Sequence, residues 1–100
     1  MIKHIVMWRI KDNYDGLSKL EICNKIKNEL EALKSLIPEI KKIEVGINYL
    51  KDSAAYDLAL YSEFNSTEDL DSYQKHPDHQ KVGKYIGMVK EDRIVVDYKG

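Results

Sequence analysis

The stretch 3-KHIVMWRIK-11 decides more about the fold than any other part of the chain. Read as a strand, it places His4, Val6, Trp8 and Ile10 on one face and Lys3, Ile5, Met7 and Arg9 on the other. Large apolar side chains therefore point both ways, and each face needs a cover. What can supply two covers depends on the rest of the chain.

Downstream, 12-DNYDG-16 is dense in turn formers, and Ser18 with Glu21 gives the S-x-x-E signature of a helix start. Cys23, Ile26, Leu30, Leu33 and Ile37 recur at steps of three and four, which predicts one buried stripe on a helix ending near Pro38. Alternation then returns: Ile43, Val45, Ile47 and Tyr49 form a second strand, and Tyr56 to Phe64 forms a third, its hairpin mate. Ser66 or Thr67 caps a second helical region, which Pro77 should interrupt because proline lacks an N–H and restricts His76 before it. A fourth strand follows at 93-RIVVDY-98.

The order β-α-β-β-α-β predicts an α+β, ferredoxin-like single domain over residues 1–100, a four-stranded antiparallel sheet with its helices on one face. Helices on one face leave Ile5 and Met7 uncovered on the other. The economical cover is the same face of a second copy, which predicts a homodimer with a barrel-like core between the two sheets.

Composition narrows the function classes. The 16 Lys and Arg are balanced by 17 Asp and Glu and interspersed with them, so no nucleic-acid footprint is expected. Cys23 is the one cysteine, so the chain has no internal disulfide and no cysteine-based zinc motif, and it is expected to be a small core residue. Charges at Lys3, Arg9 and Lys11 break the apolar N-terminus, which predicts no signal peptide, no membrane span and a cytoplasmic protein. Tyr49, Tyr56, Tyr61, Tyr85 and Tyr98 are expected on the sheet and at the interface.

The chemistry-bearing segment is 73-YQKHPDH-79. His76 and His79, with Asp78 or His4 as a third ligand, are underequipped for zinc, so neither metal nor cofactor is expected. A histidine base with a tyrosine donor is, by contrast, the pair that enolate chemistry on a small carbonyl compound requires. The bland alternative keeps Tyr73 at the core edge and ties His79 to the backbone.

These pieces together resemble the stress-responsive A/B barrel (Dabb) family: the opening K-H-x-V strand, 36-LIP-38 at the first helix end, 76-HPDH-79, and a last strand ending in Asp97 and Tyr98. The resemblance implies a dimeric α/β barrel with a small pocket in each subunit. Some plant members are cofactor-free polyketide cyclases, and the residues matching their working pair are Tyr73 and His79. By the same resemblance His4 and His76 lie near the pocket, with Val6, Trp8, Ile26, Leu30, Ile43 and Leu60 lining it. Two functions lead: a stress-associated or small-molecule-binding protein, and a cofactor-independent lyase, cyclase or isomerase with His79 as base and Tyr73 as donor; a third, a cofactor-free oxygenase on the related dimeric barrel plan, has no residue to name for it.

Overall fold

In the computed structural model, which describes all of residues 1–100, the strand that opens the chain occupies the middle of the sheet. This strand, β1 (Ile2–Ile10), pairs antiparallel with β3 (Leu58–Phe64) on one side and β4 (Lys90–Lys99) on the other. The hairpin mate of β3 is β2 (Lys42–Ile47), and the sheet order is β2-β3-β1-β4. The α+β, ferredoxin-like plan is therefore observed, with one difference of detail: the second helical region is two helices. No helix is long and apolar enough to cross a membrane.

Burial along β1 follows its alternation. Ile2, His4, Val6, Trp8 and Ile10 are buried beneath the helices, while Lys3, Ile5 and Arg9 are half-buried and Met7 is exposed. Helix α1 (Lys19–Ala32) starts where its capping box forms: Glu21 N–H donates to Ser18 Oγ at 3.2 Å, and Ser18 N–H donates to Glu21 Oε1 at 3.0 Å. Its stripe of Ile22, Cys23, Ile26 and Leu30 lies in the core, each large member contributing about 1.5–3 kcal/mol by leaving water.

Several boundaries differ from the sequence reading. The first helix stops at Ala32 rather than near Pro38, and a tight 3-10 turn, Leu33–Ser35, carries the stripe on to buried Leu33 and Ile37. Ser35 Oγ donates back to the Ala32 carbonyl, and proline disfavours helical backbone just before it, so the α-helix cannot run on. Within 12-DNYDG-16, Asn13–Tyr14 pairs with Leu17–Ser18 across Asp15 and Gly16, which both take positive φ, as a two-residue hairpin turn demands. Tyr49 lies beyond the end of β2 and is almost fully exposed, Tyr56 precedes β3, and Tyr85 is on a helix; these three are not sheet residues.

The uncovered surface is concentrated on β4. All ten of its residues are exposed, among them Ile94, Val96 and Tyr98, which sit beside Met7, Ile5 and Lys3 on the face opposite the helices. An edge strand with this much bare apolar surface is normally paired or covered.

Candidate active site

The site begins at a bend. Ser66 caps α2 (Thr67–Lys75), accepting from Asp69 N–H at 3.1 Å. His76 then turns extended and Pro77 opens α3 (Pro77–Val89), its missing N–H costing nothing at a first-turn position. The His76 ring closes the junction by accepting Asp78 N–H on Nδ1 at 3.1 Å. Here the histidine replaces the usual serine or aspartate cap. One turn on, the bend brings His79 back against Tyr73, ring centroids 4.4 Å apart.

Between α3 and the sheet lies a cavity of about 180 Å³. His4 and His79 both line it, together with Val6, Trp8, Leu30 and Leu60. His4 Nδ1 donates to the carboxylate of Asp97, its directly opposite neighbour on β4. His79 Nδ1 donates to the Gln74 carbonyl at 3.2 Å, since a carbonyl can only accept. The neutral His79 ring therefore keeps its lone pair on Nε2. Burial, opposed by the Gln74 hydrogen bond and reinforced by His4, Arg93 and His76, lowers the His79 pKa below its ordinary 6.5. The ring is accordingly an unprotonated base at neutral pH.

Tyr73, His76, Ile26 and Ile43 do not line this cavity. Tyr73 is fully buried behind the histidines, packed on Phe64 at 4.9 Å, and its hydroxyl has no hydrogen-bond partner. That enclosure pushes its phenol well above the usual tyrosine range. His76 is occupied as a helix cap. Ile26 is in the core one helical turn before Leu30, and Ile43 packs at the core margin. Cys23 is buried in the core, its thiol pushed up to about 11 by burial and so unreactive.

The lining also includes Gln74, Gly83, Ile86, Gly87, Lys90 and Arg93, none of which the sequence reading singled out. The glycines had a signal: two in one helix, four residues apart, each forfeiting about 1 kcal/mol of helix propensity relative to alanine. A Cβ at either would meet no atom within 4 Å. They leave space rather than relieve a clash.

Comparison with known proteins matches this geometry to one family. The model of the stress responsive A/B barrel domain matches residues 2–100. The chain is 32% identical over 99 residues to a stress-response A/B barrel domain-containing protein of Arabidopsis thaliana, covering 98% of this chain and 36% of that protein. It spans less than half the length of the curated relatives it matches. A dimeric ferredoxin-like protein of unknown function from Bacteroides fragilis superposes with a TM-score of 0.87 at 39% identity, covering 99% of this chain and 95% of that one. The hydroxynitrile lyase of Passiflora edulis superposes with a TM-score of 0.79 at 25% identity, covering 97% and 90%.

Proposed function

The chain belongs to the stress-responsive A/B barrel family, and from that premise we propose that it is a homodimer in which each subunit's cavity binds a small carbonyl compound, with His79 as a cofactor-independent general base. The observation that carries the reading is that His4, from the sheet, and His79, from α3, line one cavity, each with Nδ1 engaged. Dimeric relatives and the bare apolar face of Ile5, Met7, Ile94 and Val96 support the assembly.

In this reaction His79 Nε2 takes a proton from the carbon beside the substrate carbonyl. The C–H electron pair becomes the enolate, and its negative charge rests on oxygen. Returning the proton to a different carbon gives isomerisation; attack of the enolate carbon on a second carbonyl gives an aldol, and the reverse gives cleavage. A positioned base contributes about 10²–10⁴-fold. The enolate oxygen needs a donor; Gln74, Lys90 and Arg93 offer donors on the cavity wall, and the unpartnered Tyr73 hydroxyl lies behind His79, off that wall. Similarity to a hydroxynitrile lyase supports lyase-type chemistry.

One observation favours a second reading, binding without turnover: the Tyr73 hydroxyl is buried and Tyr73 is off the cavity wall. The test is deuterium exchange at the α-carbon of a panel of small ketones and aldehydes in D₂O, followed by proton NMR. The enzyme reading expects exchange that falls by about 10²-fold or more in His79→Gln. Shift perturbation of the histidine rings with no exchange supports binding alone, and neither response sinks both readings.

A further inference from the structure

We infer that the cavity takes a small carboxylate bearing a carbonyl group, an oxo acid, with its carboxylate held by Arg93 and Lys90 and the C–H beside its carbonyl toward His79. The inference deepens the reading above by naming the charge of its ligand.

Arg93 and Lys90, two basic side chains, line the cavity, and no Asp or Glu does. Arg93 lies directly opposite Trp8 in the β1–β4 register, and therefore on the helix-facing side of the sheet. Neither its guanidinium nor the Lys90 ammonium has a carboxylate within ion-pair distance. Being unpaired is common for lysines in this chain, since only Lys19, Lys25, Lys27 and Lys75 have a carboxylate partner; what sets Lys90 and Arg93 apart is their place on a cavity wall. Of the acids nearby on the strand, Glu91 is off the cavity wall and two others are engaged in other ways. Asp97 is held by His4, and Asp92 accepts from the Tyr56 hydroxyl at 2.6 Å.

In a chain whose charges balance overall, this concave surface is thus left positive, and low-dielectric walls of Val6, Trp8, Leu60 and Ile86 strengthen its field. Arginine offers a planar fork that fits a carboxylate in bidentate fashion. The about 180 Å³ of space is below the ~300–1,000 Å³ of drug-sized sites, so the ligand is small. A carboxylate at Arg93 leaves the remainder of the ligand facing the histidines, where an acidic C–H suits the His79 Nε2 lone pair.

The experiment titrates the full chain with pyruvate, 2-oxobutanoate, their uncharged methyl esters and inorganic phosphate, reading His4, His79 and Arg93 side-chain resonances. The expected result is that an acid binds at least about tenfold tighter than its ester, and that Arg93→Met or Lys90→Met collapses this ratio. Both positions are exposed on the edge of the fold, and circular dichroism checks that each variant stays folded. Equal affinity for acid and ester, an unchanged ratio in Arg93→Met, tighter binding of phosphate, or no acid saturating by about 10 mM overturns the inference. Acid binding that persists without deuterium exchange leaves it standing and removes the base chemistry instead, so the two failures are distinct.

Discussion

Tyr73 and His79 are packed ring to ring across the Pro77 bend, 4.4 Å between centroids and tilted by 55°. The tyrosine is the last residue of the core in this direction, and the histidine is the first of the cavity. Its ring fixes where the His79 imidazole stands, whatever its hydroxyl does. Removing the hydroxyl alone therefore separates two roles that the packing combines.

Tyr73→Phe keeps the ring and deletes a buried donor that has no acceptor. The variant is expected to be as stable as the parent or more so, by up to about 1 kcal/mol, because the unsatisfied group no longer has to be desolvated. Urea denaturation checks this. If the hydroxyl donates to a bound enolate, deuterium exchange falls in the same variant while His79 resonances keep their positions. A loss of stability above that scale would show that the hydroxyl has a partner.

Gly83→Ala should raise stability and lower ligand affinity together. Alanine in the helix interior is favoured by about 1 kcal/mol, or roughly 4–8 °C in Tm for a domain of this size. The new Cβ meets nothing within 4 Å, and Gly83 lines the cavity, so the methyl is expected to take up part of its space. Calorimetry and a binding titration on one sample read both effects. A variant that binds ligand as well as the parent contradicts the placement of Gly83 on the cavity wall.

Acid should weaken the fold through His79. Its pKa is lowered in the folded chain, by burial first, relative to the ordinary 6.5 of the unfolded one. The unfolded state therefore binds the proton more readily. The contribution is complete above pH 6.5, declines as pH falls below it, and is fully lost once pH has passed below the folded-state pKa. His79→Gln should flatten this segment of the stability–pH curve. In turnover, the same group gives a rate that rises with pH through an apparent pKa below 6.5.

Charges on the open sheet face should break the assembly. Ile94 lies opposite Met7 and Val96 opposite Ile5 on the face away from the helices. Ile94→Glu with Val96→Glu is expected to turn a dimer into a folded monomer at micromolar concentration, seen by sedimentation. The parent Tm should rise with protein concentration and the variant Tm should not. A parent chain that sediments as a monomer removes the pairing altogether.

Local rules made much of this legible in the sequence. The alternation from His4 to Ile10, the Ser18–Glu21 capping box and the break at Pro77 each depend on residues within one turn or one strand of each other. The cavity was harder to read, because a void is defined by side chains that are absent or that arrive from far away. Gly83 and Gly87 contribute space, and Arg93 reaches the wall through pairing with Trp8, a contact made by strand register across most of the chain. Ile26 and Leu30 share one stripe, yet about 6 Å of helix rise separates them, and only Leu30 lines the cavity. Tyr49 and Tyr85 show the limit of residue preference, since strand propensity is a weak guide without a neighbour to pack on.

Strand β4 presents Arg93 and Asp97 to the cavity side at positions that alternate with Ile94, Val96 and Tyr98 on the outer side. A two-residue period thus writes two messages on one ribbon. Whatever pins the outer side chains also holds the register of the inner ones, so in the proposed dimer association and ligand capture would share a single thermodynamic cycle. By reciprocity, a ligand that binds the paired form more tightly must tighten the pairing by the same factor. Ligand occupancy at fixed free ligand would then vary with how much protein is present, and the subunit would sense its own abundance.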